Sequence, residues 1–190
     1  MRVMASATAP WSVLLAHPRT PGVGVYGIAA EVRFIKPAVL FCDYTLHADM
    51  TQVRLPQPQG GSPVEGLWRH TCFEAFIGVP GATEYYEFNF SPAGDWAAYR
   101  FGAYRDGMSA AAIAPAPNLQ TCRKAERLEL SATVQIGALA GIAEAPVLRI
   151  ALTAVVEDAA GELSYWSLRH AAGKPDFHHS EGFVLELPAP

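Results

Sequence analysis

A chain of 190 residues that is 51% hydrophobic and 17% charged carries enough apolar material for one packed domain and too little charge for wholesale disorder. Its 14 Lys and Arg form no basic block, and the net charge of -4 argues against nucleic acid or an anionic membrane surface as partner. No apolar run approaches the ~18 residues of a membrane span. Cys42, Cys72 and Cys122 lie far apart with no CxxC spacing, which predicts reduced, buried thiols and argues against a zinc knuckle.

In chain order, the first segment, MRVMASATAPWSVLLAHP, has an apolar patch of only Trp11 to Ala16 before His17-Pro18-Arg19. That patch is too short for a secretory leader, and the expectation is a cytoplasmic protein. The 15 prolines and 16 glycines then divide the chain into short runs rich in Val, Phe, Tyr, Thr and Ile, the pattern of an all-β protein. Strands are predicted at Val23–Ala29, Glu31–Ile35, Val39–Ala48, Thr71–Val79, Glu84–Ser91, Trp96–Phe101, Arg127–Ile136, Val147–Val156, Leu163–Leu168 and Phe183–Leu187. Leu55–Gly66, with its prolines and glycines, reads as an exposed loop. Ala110–Ala116, which runs into Pro115 and Pro117, reads as another, and Gly137–Glu144 is the one candidate for a short helical turn. In Arg127–Ile136 the apolar Leu128, Leu130, Ala132, Val134 and Ile136 alternate with polar neighbours, a period of two that excludes a helix. Val147–Val156 is apolar on both faces and reads as a central strand. Ten short strands with no internal repeat and no dividing linker predict a single domain, a two-sheet antiparallel β-sandwich of jelly-roll or other Greek-key type.

The chemistry concentrates between Leu67 and Met108. If Thr71–Val79 and Glu84–Ser91 form a hairpin through Pro80–Thr83, one face carries Phe73, Ala75, Ile77, Tyr86, Phe88 and Phe90. The other face carries Cys72, Glu74, Phe76, Tyr85, Glu87 and Asn89, joined by Trp68 and His70 if the strand runs straight back. The following strand sorts Trp96, Ala98 and Arg100 to one face and Tyr99 and Phe101 to the other. Aromatic rings beside carboxyl and amide groups suit a sugar: the C–H face of a pyranose stacks on a ring, and its hydroxyls need directional partners. Glu74 and Glu87 equally fit solvated sheet positions paired with Arg69 or Arg100. A second cluster holds Tyr165, Trp166, Arg169, His170 and the run GKPDFHHSEGF; His178 and His179 are adjacent, and no HxxxH or HExxH spacing supports a metal site made with His70.

The run LWRHTCFEAFI…EYYEFNFSPAGDWAAYRFGAYRDGM resembles the DOMON-like group, which shares its fold with family 9 carbohydrate-binding modules, and the closing YWSLRHAAGKPDFHHSEGFVLEL resembles the end of that group. The resemblance spans about Val25 to Leu187. It implies a β-sandwich that binds a small ligand, sugar or haem, without transforming it. By position it implies roles for Trp68, Glu74, Glu87, Asn89, Trp96 and Arg105. Haem-binding relatives use a Met and a His, for which Met108 with His170 or His178 are the candidates here.

The leading expectation is therefore non-catalytic carbohydrate binding, with His70, Trp166 and Arg169 added to the six residues above and with no cofactor required. The alternatives are haem binding, a glycoside-acting enzyme built on Glu74 and Glu87, and a protein-interaction module using an exposed sheet face or edge. No nucleophile elbow, P-loop or dinucleotide fingerprint is present.

Overall fold

Strict alternation along the longer strands lets two antiparallel ladders bury one face of each against the other. A computed structural model describes residues 11–61 and 63–189; the first ten residues of the leader reading lie outside the described residues. Among the described residues thirteen strands form: β1 (Ser12–Ala16), β2 (Val25–Lys36), β3 (Val39–Ala48), β4 (Val53–Arg54), β5 (Cys72–Gly78), β6 (Tyr85–Phe90), β7 (Trp96–Phe101), β8 (Ser109–Ala110), β9 (Asn118–Arg123), β10 (Arg127–Gln135), β11 (Val147–Asp158), β12 (Leu163–Ser167) and β13 (Leu185–Pro188). One ladder runs β1-β2-β3-β10-β9; the other runs β8-β7-β6-β5-β11-β12, with β4 and β13 also on β11. β1 joins them, pairing Leu14 with Ile28 of β2 and Leu15 with Ser167 of β12. The result is one continuous curled sheet whose two halves face each other. The all-β expectation holds, and every strand pairing is antiparallel.

The main core lies between the halves. Leu14, Ile28, Val32, Leu40, Tyr44, Leu128 and Leu130 come from the first ladder, and Phe73, Ile77, Phe88, Phe90, Trp96, Ile150 and Trp166 from the second. The Tyr44 hydroxyl crosses this core to donate to the Glu74 carbonyl at 2.7 Å, and its ring lies 5.1 Å from that of Phe73. A second, smaller core covers the outer face of the second ladder, where Cys72, Phe76, Tyr85, Tyr99, Phe101 and Val155 meet Leu67, Phe177 and Phe183 from flanking segments. β5 and β6 are therefore buried on both faces along their whole length.

Several expectations change. The two segments Val23–Ala29 and Glu31–Ile35 are one strand, β2, carrying register shifts near each end. β1 and β9 went unpredicted, because β1 resembles the stub of a leader and β9 is a largely exposed, mostly polar edge strand. Gly137–Glu144 forms consecutive turns closed by Leu139 N–H to Ile136 and Ile142 N–H to Leu139, with no helix. The described part of the Leu55–Gly66 loop is largely exposed, as expected, and it is also pinned: buried Asp95 accepts from the N–H groups of Gln59 and Gly61, and Val64 N–H donates to Trp96. Cys42 and Cys72 are buried thiols, but Cys122 on edge strand β9 is exposed. Among the described residues no helix is long and apolar enough to cross a membrane.

Candidate functional site

The register of β5, β6 and β11 decides which side chains converge. Glu74 lies opposite Asn89 on β6 and Thr153 on β11, and Glu87 lies opposite Phe76. Glu74, Phe76, Glu87 and Asn89 thus share the outer face of the second ladder, away from the main core. A cleft of about 560 Å³ opens there, with Glu74 and Glu87 set among Trp68, Phe76, Phe101, Tyr165 and Phe177. Its rim carries Arg105, Met108, Lys174 and His178.

Each polar group has a definite electrostatic state. Glu74 is 2% exposed. Its Oε2 accepts from the Thr153 hydroxyl at 3.2 Å, while its buried Oε1 has no protein partner. Burial, aided by the nearby Glu87, holds its carboxyl well above the usual range. Burial also raises Glu87, opposed by the Asn89 amide, which donates to Oε1 at 2.6 Å, and by the Arg105 guanidinium. Asn89 itself is fully buried and accepts from the Cys72 thiol at 3.6 Å, so it acts on the cleft by orienting Glu87.

Two loops close one end. The turn after β7 places Arg105 in the left-handed region at φ 54°, from which its N–H donates to the Tyr85 hydroxyl at 3.2 Å. The Tyr85 hydroxyl also meets Nδ1 of His178 at 2.8 Å, and His178 Nε2 faces Glu87 Oε2 at 3.8 Å. The Asp176 carboxylate gathers the loops: it accepts from Arg105 Nη2 at 2.7 Å, from the His178 N–H at 3.1 Å and from the Tyr104 hydroxyl. Burial, with a smaller contribution from Arg105, pushes His178 down to about 4, so its ring is neutral near pH 7.

The residues singled out in the sequence are distributed as follows. Trp68, Glu74, Glu87 and Arg105 line the cleft, and Asn89 sits directly behind it. Trp96 and Trp166 do not reach it: both are 6% exposed and point into the main core, Trp96 beside Ala98 and Trp166 with its indole N–H on Ser164. Their parity decides this, since each alternates with a residue that faces the cleft side. His70 lies beyond the start of β5, past a 3₁₀ turn at Leu67–Arg69 that breaks the strand parity, and it contacts Glu157 at 2.7 Å instead. Arg169 faces a separate groove near Glu181, at 3.9 Å. Met108 and His178 both line the cleft, but both His178 nitrogens already face protein groups, while His170 Nε2 meets the Leu15 carbonyl elsewhere. Among the described residues no cluster of three His, Cys, Asp or Glu could hold a metal ion. The sequence reading did not assign Tyr165, Phe177 and Lys174. Tyr165 was findable by its alternation with Trp166, but the loop carrying Lys174 and Phe177 is placed by tertiary contacts that no local pattern encodes.

No protein-family model matches the sequence, and no curated protein is similar to it in sequence. The structure is similar to that of a candidate carbohydrate-binding protein from Bacteroides uniformis, with a TM-score of 0.68, 15% identity and coverage of 91% of this chain and 82% of the other. It also resembles a family 9 carbohydrate-binding module from Caldicellulosiruptor kristjanssonii bound to cellotriose, with a TM-score of 0.55, 10% identity and coverage of 94% and 80%. The fold is that of a family 9 carbohydrate-binding module. The same kind of module bound to glucose gives a TM-score of 0.50 at 10% identity, covering 86% of this chain and 75% of the other.

Proposed function

We propose that the protein is a non-catalytic carbohydrate-binding domain of the DOMON-like group, and that it holds a sugar in the cleft between Glu74, Glu87 and the surrounding aromatic side chains. The observation that carries this reading is the open cleft, whose wall sets the carboxyls of Glu74 and Glu87 beside the partly exposed rings of Trp68 and Tyr165. Trp68 and Tyr165 provide the rings for stacking, and Glu87, held by Asn89, provides a fixed acceptor. The sugar-bound neighbours of the same fold support the choice of ligand class.

The test is a titration of mono- and oligosaccharides followed by tryptophan emission. Trp68 is the tryptophan that lines the cleft, so the expected change disappears in Trp68→Phe. Glu87→Ala is expected to weaken binding at least tenfold with unchanged circular dichroism. Silence across a broad panel at millimolar sugar sinks the reading. Two carboxyls on one strand pair are also the equipment of a glycoside hydrolase. Release of reducing ends from the bound oligosaccharide, lost in Glu74→Gln, would replace binding by catalysis.

A further inference from the structure

A second cleft of about 660 Å³ lies beside the first, and His178 forms a wall of both. Two consecutive residues of the turn after β7 divide between them: Arg105 lines the first cleft and Tyr104 the second. One carboxylate, Asp176, accepts hydrogen bonds from both side chains and from the His178 N–H, so a single clasp fixes the ridge where the clefts meet. The second cleft has the same mixed chemistry as the first. Tyr104 presents a ring that is 54% exposed, with His179 packed edge-on at 6.3 Å and Phe183 beneath. Arg149 donates from Nη2 to the Ser180 and Phe183 carbonyls, which holds its guanidinium at the rim. Exposed aromatic surface next to fixed donors is again a partner for a sugar ring and its hydroxyls.

We propose that the second cleft is a distinct subsite for the next unit of the same saccharide, so that the protein recognises at least two linked sugars lying across the His178 ridge. This rests on the binding function proposed above. Both subsites are organised by one clasp and share a wall, so a linked second ring enters a site already ordered by the protein, and the linkage supplies it at high effective concentration.

Calorimetric titration with matched pairs (glucose and cellobiose, xylose and xylobiose, mannose and mannobiose, galactose and galactobiose) tests it on the full chain. For the pair that binds, the disaccharide is expected to bind at least tenfold more tightly than its monosaccharide. His179→Ala removes a ring from the second cleft, and Ala82→Trp fills its outer edge. Each is expected to reduce the disaccharide advantage to threefold or less while leaving the monosaccharide affinity unchanged. A disaccharide that binds no better than the monosaccharide overturns the subsite and leaves the first cleft standing. An advantage that survives both variants places the second unit elsewhere and equally overturns it. No response to any pair overturns the binding function itself, and the subsite with it.

Discussion

Glu74 and His178 face the same cleft with opposite burdens. An unfolded glutamate titrates near 4.5, whereas folded Glu74 keeps its proton well above that. As pH rises past 4.5 the unfolded chain sheds a proton that the folded chain holds, so folding stability falls, by up to about 1.4 kcal/mol per pH unit until the folded value is reached. His178 runs the other way: ordinarily near 6.5, it is held at about 4. Its contribution is present above 6.5 and is lost as pH falls towards 4, on the order of 3 kcal/mol in all. The two windows overlap between pH 4.5 and 6.5, where the effects offset each other, so urea unfolding is expected to show little change there and a fall in stability above 6.5. Glu74→Gln keeps the shape without the titrating proton and should uncover the rise between pH 4 and 6.5 and reduce the fall above it to what the raised Glu87 contributes. His178→Asn should do the reverse and make stability fall from pH 4.5 upward. A Glu74→Gln profile parallel to that of the wild type would show that Glu74 is ionised and the cleft reading misplaced. These two residues also mark what was legible: the parity of Glu74 and Glu87 could be read from their strands, but their protonation depends on burial by a loop nearly a hundred residues away.

Strands with clean alternation were legible almost to the residue. β3 matches its predicted limits and β10 its predicted start, because a half-buried strand writes its period of two into the sequence; the limits of β7 and the start of β11, strands largely buried on both faces, were marked instead by the turn residues that flank them. β9 left no such trace, since nearly all of it is exposed and its polar side chains carry no contrast. β1 is short, but its assignment is testable. Leu14 is 1% exposed in the main core, whereas its neighbour Leu15 is 56% exposed. Leu14→Ala is expected to cost about 2–5 kcal/mol and Leu15→Ala within about 0.5 kcal/mol of nothing in chemical denaturation. A slip of one residue in β1 would exchange the two values. Tyr44→Phe examines the tie between the ladders. Losing the hydroxyl that reaches the Glu74 carbonyl should cost about 1 kcal/mol, and more if that carbonyl is left without water.

The whole molecule divides its labour between two cores of unequal character. The main core joins ladders that are ordered along their full length, while the outer core depends on covers brought from distant parts of the chain: Leu67 before β5, and Phe177 and Phe183 between β12 and β13. The cleft lies between sheet and covers, so the least autonomous elements of the fold are those that shape it. Sub-global opening of such covers costs less free energy than unfolding the sheets. A ligand held between them must therefore do two things at once. At 100 times its dissociation constant it adds about 2.7 kcal/mol to global stability, which for a domain of this size raises the melting temperature by roughly 5–10 °C. It also slows amide exchange in the covering segments 64–68 and 171–183 beyond what the free protein shows, because their local opening now requires release of the sugar. Thermal shift and hydrogen exchange on the same sample separate the two effects. A rise in melting temperature with no added protection in those segments would mean that the sugar sits on some other surface. Added protection confined to them would fix the cleft as the place where folding and binding are linked.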